Sequence, residues 1–166
     1  MIILGLGSNL HSSFGNRFEN ISLAISYLKS YKIKVIKESN FYETPSYPNN
    51  KNPKFINIAL GISTNLSPAD LASILIFIEE KLERKRNYKN EPRTCDIDIL
   101  DYDKKIIKSS TNIKLIIPHP EMHKRNFVLL PLFEITKRWT HPIKKIDIKK
   151  LVNSLELREL RAIKLL

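Results

Sequence analysis

The chain has 166 residues, 42% hydrophobic and 27% charged, enough apolar material to bury the core of one ordinary domain and too much for a disordered polyelectrolyte. Lys and Arg number 28 against 17 Asp and Glu, and the resulting +11 charge favours anionic partners such as nucleic acid, anionic lipid or polyphosphate metabolites without choosing among them. No apolar run approaches the about eighteen residues that cross a bilayer, the start MIILGLGSNL has no export leader, and the single Cys95 leaves no intramolecular disulfide, so a cytoplasmic protein with no membrane partner is expected.

In chain order, residues 1–7 are apolar and run into Gly-Ser-Asn, which predicts a buried strand ending in a turn. Phe18, Ile21, Ala24, Ile25 and Leu28 recur at helical spacing and predict a helix over about 14–29. Residues 33–42 and 55–64 alternate in β-rich composition and predict two strands, separated by an Asn/Pro/Lys loop. Ser67-Pro68-Ala69-Asp70 reads as an N-cap with proline at the first helical position, opening a helix through Leu71, Leu75, Ile78 and Leu82 to about Arg86. A strand over 94–102 follows, then short strands at 105–108 and 114–117, and a turn with a short helix over 122–132.

The order β-α-β-β-α-β is the split βαβ plan, so the expected fold is α+β and ferredoxin-like, an antiparallel sheet with the helices packed on one face. The whole of 1–166 is expected to be one domain, with a motif-bearing core over 1–134 and a packing segment over 135–166 that carries an amphipathic run from Ile148 to Leu160.

The most informative segment is Pro92 to Leu100, PRTCDIDIL. On a strand, Asp96 and Asp98 point to one face while Cys95, Ile97 and Ile99 point to the other, the core. Two carboxylates about 7 Å apart repel by about 2 kcal/mol at an effective dielectric near 20, so something positive must offset them. Magnesium, held by one or two carboxylates plus substrate phosphates, suits that spacing, and an exposed acidic face opposite lysines suits it as well. Basic residues crowd in just before the pair, at Lys81, Arg84, Lys85, Arg86, Lys89 and Arg93, a pattern that fits a metal-nucleotide better than a duplex. The competing class is a basic module for RNA or single-stranded DNA, but no strand clearly interleaves aromatic with basic residues, so no nucleic-acid partner is expected. Gly5 to Asn9 begins like a phosphate loop, yet Leu10 breaks the G-x-G-x-x-G pattern and no Walker sequence occurs. His119, between two prolines and six residues before Arg125, is conformationally restricted, which suits either a ligand contact or a turn histidine.

Taken in order, GLGSNL, Phe41-Tyr-Glu-Thr-Pro45, Asn52-Pro-Lys-Phe-Ile-Asn57, PRTCDIDIL and PHPEMHKRNFVLLPL resemble the motif series of the 6-hydroxymethyl-7,8-dihydropterin pyrophosphokinase family over the first 134 residues. The resemblance implies transfer of the β,γ-pyrophosphoryl unit of ATP to the pterin's hydroxymethyl oxygen, with release of AMP, in folate biosynthesis. It implies ATP as co-substrate and two magnesium ions held by Asp96 and Asp98. Arg84, Arg93, His119 and Arg125 match the family's catalytic phosphate contacts, and Glu79 and Arg86 match further positions beside the nucleotide. For the pterin, Thr44, Pro45 and Tyr47 match wall contacts, Asn57 matches an amide facing the pyrimidinone edge, and Phe55 and Phe127 match a sandwich around the ring. The expected partners are small-molecule substrates, with the chain a monomer. Asn90-Glu91 stands where the family commonly has Trp-Gly, leaving Tyr88 to supply any aromatic lid. The loops 46–53 and 85–91 are expected to close over substrates.

Overall fold

The computed structural model describes residues 1–46, 51–88, 91–109 and 115–166. Its elements are β1 (Ile2–Ser8), α1 (Arg17–Ser30), β2 (Lys34–Glu38), β3 (Tyr42–Thr44), β4 (Phe55–Ser63), α2 (Pro68–Lys81), β5 (Asp96–Tyr102), β6 (Ile107–Ser109), β7 (Leu115–Ile117), a 3-10 turn (Met122–Lys124), α3 (Asn126–Ile135), α4 (Ile148–Asn153), α5 (Leu157–Ala162) and β8 (Lys164–Leu165). The main sheet is antiparallel in the order β5-β1-β4-β3-β8, with β2 on the same flank of β4 as β3. Strands β6 and β7 form a separate hairpin.

The α+β split βαβ plan is the one expected, and both of its helices lie on one face. There Ile2, Leu4 and Leu6 of β1, Ile56, Ile58, Leu60 and Ile62 of β4, and Ile97 and Ile99 of β5 meet Ile21, Ala24 and Leu28 of α1 and Leu71, Leu75 and Ile78 of α2. The opposite face carries a second core that the sequence pattern did not lead one to expect. Val128, Leu129, Leu132 and Ile135 of α3, with Trp139, Ile148 and Leu151, close over Ile3, Ala59 and Leu100. Helix α3 reads NFVLLPLFEI, apolar nearly all round, so its sequence shows no stripe to say which sheet face it takes.

Three elements differ from their expected bounds for local reasons. The strand expected over 33–42 is two strands, because Ser39 turns its own hydroxyl onto Ala59 N–H at 3.0 Å, and the register has already shifted between Val35 and Lys37. Helix α1 starts later than expected, at a capping box in which Asn16 accepts from Glu19 N and Glu19 accepts from Asn16 N. Helix α2 stops at Lys81 rather than near Arg86, since Glu83 takes a left-handed φ of 64°. In the tail, the run from Ile148 to Leu160 is two short helices, of which α5 buries no residue, and β8 returns to pair with β3.

Candidate active site

Alternation along three neighbouring strands builds the site on the α3 face of the sheet. Register places Asn57 of β4 beside Gly7 of β1 and Gly7 beside Asp96 of β5, and one step along the strands Ala59, Gly5 and Asp98 form the next row. An amide and a carboxylate thus stand about 10 Å apart across the sheet, two strand spacings, with a bare backbone between them. Helix α3 covers only Ile3, Ala59 and Leu100, and beyond its first turn the face opens into a cavity of about 320 Å³. Its lining includes Gly5, Gly7, Thr44, Pro45, Phe55, Asn57, Arg93, Asp96, Asp98, Arg125 and Phe127. The glycines of GLGSN are therefore floor positions of a strand rather than a phosphate loop. A Cβ at Gly7 would lie 3.3 Å from Asn57 Oδ1 and 3.5 Å from Phe55 Cδ1.

On the β3–β4 side, Asn57 Nδ2 donates to Thr44 Oγ1 at 2.9 Å, which fixes the amide. Phe55 and Phe127 both reach the cavity, each stacked beneath a guanidinium: Arg93 lies 5.0 Å from the Phe55 ring centre and Arg125 5.6 Å from that of Phe127. Two of the cavity's cations are thus held against its aromatic walls.

On the β5 side the two carboxylates differ. Asp96 receives Arg84 at 2.5 Å and Arg93 at 2.7 Å, and although its burial acts upward, these arginines hold its pKa below the ordinary value. Asp98 has no ion pair among the described residues; burial, and then the charges of Asp96 and Glu79, push it up to about 7. A pair of hard oxygen donors with one member uncompensated is a donor set that fits a divalent cation, which would supply the missing positive charge. Among the described residues no group of three or more His, Cys, Asp and Glu is placed to hold a metal ion.

Behind Asp96 stands a buried carboxylate whose position the sequence does not display. Glu79, 2% exposed on α2, accepts Ile97 N–H at 2.7 Å and is paired by both Arg84 and Arg86. Burial pushes its pKa up to about 7, with Arg84 opposing. Glu79, Arg84 and Arg86 lie outside the cavity lining; Glu79 orients the two arginines, and Arg84 reaches Asp96. His119 also lies outside the lining, half-buried, with its backbone N–H donating to Leu100 O at 3.0 Å. Its Nδ1 accepts Glu121 N–H at 3.2 Å, so the remaining proton sits on Nε2 as a donor, and burial followed by Arg125 lowers its pKa. Tyr47 and Asn90 fall outside the described residues. Tyr88 is 67% exposed and lines a different hollow with Leu10, Glu83, Pro92 and Arg93 rather than the main cavity.

Two further participants escaped the sequence reading. Asn9, 1% exposed, accepts Arg93 N–H at 2.7 Å and donates to Pro53 O at 3.0 Å, tying the segments that lead into β4 and β5 to the end of β1. Glu121 adds a third carboxylate to the cavity wall.

The chain matches the family model for 7,8-dihydro-6-hydroxymethylpterin-pyrophosphokinase over residues 3–137. It is 34% identical over 149 residues to the 2-amino-4-hydroxy-6-hydroxymethyldihydropteridine pyrophosphokinase of Aquifex aeolicus, covering 90% of this chain and 88% of that one. It is 38% identical over 147 residues to the folic acid synthesis protein fol1 of Pneumocystis carinii, covering 89% of this chain but spanning only 19% of that longer relative. In structure it resembles the Plasmodium falciparum HPPK-DHPS A437G protein solved with pteroate, at a TM-score of 0.76 and 17% identity, covering 99% of this chain and 46% of that one. With the acidic pair, the arginines and the aromatic walls already gathered on one sheet face, the match over residues 3–137 establishes that the chain belongs to the 7,8-dihydro-6-hydroxymethylpterin-pyrophosphokinase family.

Proposed function

We propose that this chain transfers pyrophosphate from ATP to 6-hydroxymethyl-7,8-dihydropterin, giving the pterin diphosphate and AMP, and that it does so as a cytoplasmic monomer of one domain. The observation that carries the reading is the division of one cavity by a glycine-floored strand, with Thr44, Phe55 and Asn57 on the β3–β4 side and Asp96 and Asp98 on the β5 side.

Phe55 and Phe127 offer faces to a flat heterocycle, and the amide fixed by Thr44 offers its free oxygen to a donor on the ring's edge. Asp96 and Asp98 would hold two magnesium ions, which would supply positive charge against the triphosphate. Arg84, Arg93 and Arg125 grip phosphate oxygens with planar guanidinium groups, Arg86 meets the outer part of the nucleotide, and His119 donates Nε2–H. Glu79 holds Arg84 and Arg86 in place through their ion pairs. Catalysis is positioning plus charge stabilisation: the hydroxymethyl oxygen, the β-phosphorus and the departing AMP oxygen are brought into line. The loops 46–53 and 85–91, expected to close over substrates, include residues 47–50 and 89–90, which lie outside the described residues.

Incubation with ATP, magnesium and hydroxymethyldihydropterin, with nucleotide products separated by ion exchange, tests this. Pterin-dependent AMP is the expected product; ADP, or AMP formed equally without pterin, overturns the reading.

A further inference from the structure

Away from the cavity, one stretch of the surface combines strong charge, exposed aliphatic side chains and a fixed backbone. Between residues 137 and 150 six exposed cations, Lys137, Arg138, Lys144, Lys145, Lys149 and Lys150, accompany a single acid. That acid, Asp147, is engaged as the N-cap of α4, accepting Lys150 N–H at 2.9 Å. Within the same stretch Ile143 and Ile146 are 51% and 38% exposed.

The loop that carries them is tightly closed. Thr140 and Asp147 form a β-bridge, His141 N–H donates to Ile146 O, and Lys145 N–H donates back to His141 O, both at 2.9 Å. From beneath, His141 Nδ1 accepts the N–H groups of Ile143 and Lys144, each at 3.2 Å. Buried Trp139 and His141 anchor the base. The two isoleucines therefore stand exposed on a tip held closed by these hydrogen bonds.

We propose that this tip, Ile143 to Ile146 with its surrounding cations, docks the protein peripherally on an anionic bilayer surface. Five of the six cations are lysines, strongly hydrated point charges suited to a diffuse negative surface, whereas recognition of particular carboxylates or phosphates favours the planar fork of arginine. A juxtaposed cluster of this size is what attracts a protein to acidic headgroups, and short aliphatic anchors add insertion to that attraction. No aromatic side chain is exposed on the tip to stack a base, which disfavours single-stranded nucleic acid. This contact differs from a membrane span, and it does not depend on the catalytic reading, because none of these side chains lines the cavity.

The test is sedimentation of the full chain with vesicles of phosphatidylglycerol in phosphatidylcholine, against phosphatidylcholine alone, at low and physiological salt. Binding only to the anionic vesicles is expected, weakened about tenfold or more by K144E/K145E and also by I143S/I146S. Both variants should keep wild-type pyrophosphoryl transfer with soluble substrates, which shows that they fold. Absence of binding overturns the proposal, as does equal binding to neutral vesicles. So does binding that I143S/I146S leaves unchanged, which would mean charge adsorption alone, or binding that an oligonucleotide matches in affinity and in sensitivity to both variants.

Discussion

At the scale of single residues the site is a set of assigned tasks. Asp98 stands half-buried beside another acid with no ion pair among the described residues, so Asp98→Asn should lower transfer roughly a thousandfold while leaving the metal-free protein as stable as before or more so, by about 1 kcal/mol. Activity assays and thermal unfolding without magnesium, run side by side, check this; a clear loss of stability would show that the repulsion is misjudged. Gly7→Ala puts a methyl group 3.3 Å from the amide oxygen of Asn57, so the pterin KM should rise about tenfold with a smaller effect on the KM for ATP. The pairing of Asp96 with Asp98 was legible because strand alternation is local, and Cys95 on the other face is fully buried as expected. Glu79 was legible only as a position near the nucleotide. Its burial depends on Arg84 and Arg86 folding back from the segment after α2, a contact that helical periodicity cannot display.

At the scale of elements, each central strand divides its side chains between the α1–α2 core and the site, so a slip of one residue in β5 would turn both aspartates into the apolar layer. The register is held by side chains as well as by the ladder, through Ile97 N–H on Glu79 and Arg93 N–H on Asn9. Helix α1, cushioned on that layer, begins at a reciprocal cap. Asn16→Ala should therefore cost about 1 kcal/mol in urea denaturation with catalysis unaffected, while Asn16→Ser should restore most of it. Strand and helix types were readable from period and composition, and boundaries were lost where a single residue redirects the chain, through its hydroxyl at Ser39 in the second strand and through a left-handed φ at Glu83 after α2. The covering of the second face by α3 was not readable, since that helix lacks a polar side to orient it.

At the scale of the molecule, the tail is bolted to the edge strand: buried Trp139 donates Nε1–H to Asp101 at 2.7 Å, and the chain then enters the loop based on His141. Burial, then His123 and Lys144, bring the His141 pKa down to about 4. The folded protein thus keeps this ring neutral where the unfolded chain, titrating near 6.5, takes up a proton. Its contribution to stability is present above about pH 6.5 and is lost as pH falls toward 4, by up to about 3 kcal/mol. Denaturant titrations across that range should show the slope, and His141→Asn, which can retain the acceptor for the loop amides, should flatten it. The sheet itself has two unlike sides, one sealed by a pair of 14-residue helices and one left partly open over Gly5 and Gly7. A flat inhibitor laid on that opening would rest on main chain, which no point mutation can trim away. Escape at the floor could come only by adding atoms, and each added atom would crowd the natural substrate as well as the drug.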